Sequence, residues 1–122
     1  VVEYGIGEIA RQCGQISILS LSDQIGISQN HLSTQFKRMV GITPKELARF
    51  YRFAHVLHSI DPAQQPNWMM LAHRCGYYDQ SHFNKDFFTF TGHTPTDYLR
   101  LRQRLSSEHP EQSQNIGQLP TD

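Results

Sequence analysis

The sequence predicts an all-α fold of about seven helices, in which two copies of one helical unit are joined by a long central linker helix. Three observations predict it: an internal repeat, matched helix caps in both copies, and a broadly apolar stretch between them. Displaced by 51 positions, SQNHLSTQFKRMVGITPKEL (28–47) lies on DQSHFNKDFFTFTGHTPTDY (79–98). Gln29, His31, Phe36, Gly41, Thr43 and Pro44 recur as Gln80, His82, Phe87, Gly92, Thr94 and Pro95. Upstream, with one residue inserted in the turn, Leu21, Ile25 and Gly26 fall on Leu71, Cys75 and Gly76. Self-similarity of this kind means one supersecondary unit used twice.

Taken in order, residues 3–12 are the candidate first helix and the least strongly marked one. A short helix over 21–25 opens at Ser20, and Gly26-Ile27 leaves room only for a tight turn. The next helix, about 29–40, has Ser28 as an acceptor for free first-turn amides and Leu32, Phe36 and Met39 at apolar helical spacing. Gly41 sits where a left-handed C-terminal cap belongs. Thr43-Pro44 then places an N-cap before a proline at the first helical position, and Glu46 completes a capping box. The linker helix so started, 44–60, carries Leu47, Phe50, Tyr51, Ala54, Leu57 and Ile60 on one broad face and Lys45, Arg49 and Arg52 on a narrow polar stripe. A helix apolar around most of its circumference must be covered on several sides, so it is expected to pack against both units. DPAQQPN (61–67) ends it, because its prolines cannot continue a helix.

The second copy repeats the order. A helix over 68–75 opens at Asn67, the turn is Gly76-Tyr77-Tyr78, and Asp79 caps a helix over 80–91 with Phe83, Phe87 and Phe90 at core spacing. Gly92 and Thr94-Pro95 then stop it and start a last helix, with Asp97 in the place of Glu46. Helix, short glycine-containing turn, helix is the helix-turn-helix arrangement. It occurs twice, at about 18–43 and about 67–105. Residues 1–17 form an N-terminal segment ahead of it, and 106–122, polar and poor in apolar residues, are expected to be a disordered tail.

At 122 residues the chain suits one compact domain and is too short to hold a sensing domain as well. Its formal net charge is zero, which by itself argues against a polyanionic partner. The distribution reverses this: residues 18–105 hold ten Lys/Arg against six Asp/Glu, while 1–17 hold one basic and two acidic residues and 106–122 three acidic and none basic. Cys13 and Cys75 form neither a CxxC pair nor a zinc array, and a reduced, cytoplasmic setting is expected. No stretch approaches the ~20 apolar residues of a membrane span, and 1–17 lack the pattern of a signal peptide, so no membrane partner is expected.

In both repeat helices the face opposite the core carries small polar, amide and basic groups: Asn30, Ser33, Thr34 and Lys37 in the first, Gln80, Ser81, Asn84 and Lys85 in the second. Such side chains have the lengths and the donors and acceptors to read base edges in a major groove. For any single residue a solvated helix face is the simpler explanation. The stripe, however, occurs twice, each time on the second helix of its unit, the element that enters the groove in helix-turn-helix proteins. A linker of residues 44–60 spans roughly 25 Å at ~1.5 Å per residue, and successive major grooves on one face of B-DNA are about 34 Å apart. With the half-widths of the flanking units added, one chain is long enough to serve two adjacent grooves.

These residues resemble the AraC/XylS family of bacterial transcription regulators, whose C-terminal domain holds two helix-turn-helix units around a long linker helix. The resemblance runs from about residue 18 to 104. It is most specific over LAHRCGYYDQSHFNKDFFTFTGHTPTDYL (71–99), where Ala72, Gly76-Tyr77, Ser81, Phe83, Phe87, Gly92 and Thr94-Pro95 carry the family pattern. It implies base contacts at Asn30, Ser33, Thr34, Gln80, Ser81, Asn84 and Lys85. It implies phosphate contacts at Lys37, Arg38 and the amide ends of these helices. His31 and His82, at equivalent repeat positions just inside a helix start, are expected near phosphate on that ground. Ser22 replaces the usual alanine, Phe88 and Thr89 stand where members often have two basic residues, and arginine is missing from the base-reading positions. The implied partners are double-stranded DNA and RNA polymerase, with an effector-sensing or dimerisation segment N-terminal to these residues.

The remaining features favour structural roles. His55 and His58 share a helix face, but no Cys or carboxylate joins them within a turn, so no metal is expected. Cys75 falls on the position of Ile25 and reads as a small core hydrophobe; Trp68, aligned with Ile18, reads as core. No cofactor and no enzymatic activity are expected. Two alternatives stand beside the DNA reader: an AraC-like segment of a DNA-repair methyltransferase, whose cysteine-rich centre would lie outside this chain, and a protein-interaction module contacting RNA polymerase.

Overall fold

The structure, a computed structural model, describes residues 1–108. Over these the chain forms seven α-helices and no strand: α1 (Val2–Arg11), α2 (Ile18–Ile25), α3 (Gln29–Met39), α4 (Pro44–His58), α5 (Trp68–Arg74), α6 (Gln80–Thr91) and α7 (Pro95–Glu108). The chain divides into two compact units, the first Val1–Arg52 and the second from Phe53 on, so the division falls inside α4. Each unit holds one helix-turn-helix, α2–α3 and α5–α6. Among the described residues no helix is long and apolar enough to cross a membrane.

Side-chain caps start the helices where backbone amides lack partners. Ser28 Oγ accepts from the His31 amide at 3.0 Å, Asn67 Oδ1 from Met70 at 3.1 Å and Asp79 Oδ1 from His82 at 2.7 Å. At α4 the capping box closes in both directions: the Thr43 amide donates to Glu46 Oε1 at 3.2 Å, and the Glu46 amide to Thr43 Oγ1 at 3.1 Å. At α7 Thr94 Oγ1 accepts from the Asp97 amide at 3.2 Å, while the shorter Asp97 carboxylate meets Arg100 Nη1 at 3.3 Å. One cap differs from expectation. Ser17, not Ser20, caps α2, its side chain accepting from the Ser20 amide at 3.0 Å. Ile18 packs against the first unit's core, and this draws an extra turn into the helix ahead of the expected start.

The first unit buries Val2 and Ile9 of α1, Ile16, Leu21 of α2, Leu32 and Phe36 of α3, and Ala48 of α4. Here α1 packs on α2 and α3. Its approach to α3 is close: a Cβ on Gly5 would lie 2.9 Å from Phe36 Cζ. After α1 the chain turns through Gly14 (φ +74°), which lies against the backbone of α4. A Cβ there would meet the Ala48 carbonyl oxygen and stand 2.7 Å from Arg52 N. Arg52 Nη2 donates to the Gly14 carbonyl at 3.1 Å and completes the junction.

The second unit is richer in aromatic residues. Phe53, Val56, Leu57 and Ile60 join Leu71, Ala72, Cys75, Tyr77, Phe83, Phe87, Tyr98 and Leu99, with Trp68 half-buried against them. Phe87 sits among rings, edge-to-face with Phe53 at 5.2 Å, Tyr98 at 5.3 Å and Trp68 at 6.1 Å. Such pairs contribute beyond the area they bury.

Several expectations change. Met39 is 67% exposed, because the last turn of α3 runs past the hydrophobic cluster that holds Leu32 and Phe36. Phe90 is also on the surface, with one face stacked on Phe53 at 4.9 Å. The linker helix stops at His58 instead of residue 60; Ser59 Oγ turns back to the His55 carbonyl at 2.7 Å, and Ile60 is buried beyond the helix end. Its expected face was only partly right. Leu47, Phe50, Tyr51 and Ala54 are half-buried, whereas Ala48, Phe53 and Val56 are buried. A helix apolar on nearly all sides gives no period to choose a face, and the two ends of α4 serve different cores. Ser22 is buried, its hydroxyl donating to the Leu19 carbonyl at 2.9 Å. The last helix includes Ser106, Ser107 and Glu108, past the expected start of the tail; the rest of that expected tail lies outside the described residues.

Candidate nucleic-acid interface

In α3, burial of Leu32 and Phe36 fixes which side faces out. That side presents Asn30, Thr34, Lys37 and Arg38, with Ser33 half-buried at its edge. Thr34 Oγ1 donates to the Asn30 carbonyl at 2.9 Å, which uses its proton and leaves its oxygen as an acceptor. His31, exposed in the first turn, has its Nε2 3.2 Å from Gln35 Nε2.

In α6 the anchors are Phe83 and Phe87. Gln80, Ser81, Asn84 and Lys85 are all exposed, and so is His82 in the first turn. With the 51-residue offset of the repeat, Asn30, Ser33 and Thr34 correspond to Ser81, Asn84 and Lys85, so matched positions lie outward in both helices. These strips are formed within each unit by the same anchors at the same spacing. The outward side groups include hydroxyl, amide and ammonium groups, which can donate to and accept from base edges.

The electrostatics of the two helices differ. Lys37 and Arg38 occupy the last turn of α3, where cations also favour the helix dipole; the last turn of α6 has no basic residue. Close to Lys37, hydrogen bonds from the Thr43 amide and hydroxyl hold the Glu46 carboxyl below the usual carboxylate range, with Lys37 and Arg49 adding to the effect. Glu46 is therefore an anion at neutral pH and offsets part of the positive field there. Among the described residues no group of three or more His, Cys, Asp or Glu is placed to hold a metal ion.

Two buried charged residues escaped the sequence reading. Asp86 is fully buried behind the α6 strip, and the Tyr77 hydroxyl donates to its Oδ2 at 2.9 Å. His82 Nε2 lies 4.0 Å from Asp86 Oδ1. The turn residue Tyr77 is thus tied to the middle of the helix it precedes, which fixes the angle at which α6 is presented. The available signal was spacing: Asp86 follows Phe83 by three positions and precedes Phe87, so it stands on the core side of α6. Arg102 of α7, also buried, lies with its guanidinium 6.0 Å from the Tyr98 ring centre.

A family model described as a helix-turn-helix domain matches residues 21–101, more than half of the chain, from within α2 to within α7. No curated protein and no solved structure matches the chain.

Proposed function

Because this chain belongs to the AraC/XylS family of helix-turn-helix DNA-binding domains, we propose that it sets α3 and α6 into successive major grooves of one duplex. The chain is a DNA-binding transcription regulator of the AraC type, and its domain is a binding module and not a catalytic one. In this reading Asn30, Ser33 and Thr34 meet base edges in one groove and Gln80, Ser81, Asn84 and Lys85 in the next. Lys37 and Arg38 neutralise phosphates, and His31 and His82 approach the backbone from the first turns, where free amides favour anions. RNA polymerase is the protein partner of the bound complex, and effector sensing or dimerisation belongs to a segment N-terminal to these residues.

The observation that supports this best is the pair of outward strips at repeat-matched positions on two similarly anchored helices. The matched positions stay polar across the duplication although the groups themselves change, Asn30 standing with Ser81, Ser33 with Asn84 and Thr34 with Lys85. Selection of bound duplexes from a random DNA pool is the test. The expected outcome is a bipartite site with about 10 base pairs between half-site centres, bound with an affinity that falls steeply as salt rises. Binding that ignores sequence, or is unchanged between low and moderate salt, would remove the proposal in favour of a protein-interaction role.

A further inference from the structure

We infer that Phe88 is a specificity-determining residue of the second unit, its exposed ring taking the C5-methyl of a thymine as an apolar contact in the major groove. The inference rests on the groove binding proposed above and names one base that α6 selects.

Of the phenylalanines on α6, Phe83 and Phe87 are fully buried and Phe90 keeps one face on Phe53, whereas Phe88 is 62% exposed. Helical spacing places it with the outward strip, since Ser81, Asn84 and Phe88 follow at intervals of three and four and Lys85 lies three before it. A singly exposed apolar side chain needs no explanation in general. This one lies on the ridge that carries the amide, hydroxyl and ammonium groups, at the place where α3 carries Lys37, so that a phosphate-seeking ammonium group in the first unit is exchanged in the second for a ring that suits an apolar group. A major groove offers an aromatic ring one apolar partner, the thymine methyl; its other edge groups are hydrogen-bond donors and acceptors. Asn84, one turn before Phe88, is the amide type that pairs with adenine N6 and N7. Amide and ring one turn apart therefore suit A·T pairs. Thr89, where α3 has Arg38, adds a methyl and no charge.

The test uses duplexes selected by the chain itself from a random pool, with each thymine of the second half-site replaced in turn by deoxyuridine, which lacks only the methyl. The wild-type chain is expected to lose about four-fold in affinity at one position, the factor matching ~0.8 kcal/mol for one buried methyl-sized group. Phe88→Ala is expected to bind the thymine and uracil versions of that site equally, so the effect vanishes in the double-mutant cycle. It should also keep the wild-type salt slope, whereas Lys37→Ala should lower the slope by about one. Because the ring is exposed, the melting temperature of Phe88→Ala reports that the fold is intact. If no thymine is sensitive, or Phe88→Ala discriminates as wild type does, the inference is overturned while groove binding stands. If the pool yields no preferred sequence, groove binding itself fails and the inference goes with it.

Discussion

Replacing Gly14 by alanine should damage the first unit far more than the same change at other left-handed glycines. Gly26 (φ +88°) and Gly92 (φ +75°) end α2 and α6, and a Cβ at either meets nothing within 4 Å. Their cost is the left-handed backbone alone, ~1–2 kcal/mol, reduced by the ~0.4–1 kcal/mol that alanine gains by restricting the unfolded chain. A net loss of about 1 kcal/mol follows. Gly14 shares that conformation (φ +74°), but its Cβ would intrude on the Ala48 carbonyl and lie 2.7 Å from Arg52 N. Both are backbone atoms of α4, so no rotamer relieves the contact, and the turn must move away. Overpacking of this kind costs ~1–3 kcal/mol, and displacing Gly14 also strains the bond from Arg52 to its carbonyl. The expected total is about 3 kcal/mol, read as a shift in urea midpoint by far-UV circular dichroism on the full chain. Gly7→Ala supplies a control of opposite sign: it lies exposed inside α1 with open space at its Cβ, and should stabilise by ~0.5–1 kcal/mol. A Gly14→Ala midpoint indistinguishable from that of Gly26→Ala would refute the account of the junction with α4.

Asn84→Ala or Lys85→Ala should weaken binding to selected DNA by ~1–3 kcal/mol in a fluorescence titration, with thermal melting unchanged; Phe87→Ala should instead cost ~3–5 kcal/mol of stability, and equal melting losses would contradict the assignment of faces. Tyr77→Phe removes a donor from the buried Asp86 carboxylate and should destabilise by ~1–3 kcal/mol in thermal unfolding, while Tyr78→Phe, almost fully exposed, should be neutral. Thr43→Ala should cost ~0.5–2 kcal/mol by opening the capping box of α4. Because the folded-state pKa of Glu46 lies below its ordinary value of 4.5, its contribution is present above that value and is lost as pH falls through the lower, folded one. Urea midpoints of wild type and Glu46→Gln should therefore converge on acidification.

The repeat made the larger plan legible because it preserves caps and anchors: Ser28 with Asp79, Phe36 with Phe87, and Gly41 with Gly92 mark helix starts, core faces and stops without any tertiary information. The outward strips followed once Leu32, Phe36, Phe83 and Phe87 defined the inward side. What escaped depends on tertiary context. Ser17 and Ser20 are equally good cap types, and only the packing of Ile18 selects between them. The apolar breadth of α4 hid Ala48, Phe53 and Val56 among neighbours of the same character, so the stripe drawn through Leu47, Phe50 and Ala54 missed them, although its Leu57 and Ile60 are buried. Gly14 looks like any turn glycine until the backbone of α4 is set beside it. Asp86 was visible by spacing, but its pairing with Tyr77 needs the turn closed over the helix.

The two helix-turn-helix units agree at their scaffold positions and disagree where the outward strips end: Lys37 and Arg38 on one, Phe88 and Thr89 on the other. A palindromic operator, with its twofold axis, suits two identical readers and offers nothing to a chain whose halves have drifted apart in chemistry. If both strips read one duplex as proposed, such a chain would favour an operator with distinguishable ends and dock on it in a single polarity. Direction along the chromosome would then be part of what is recognised, and an inverted operator beside the same promoter would be a different signal.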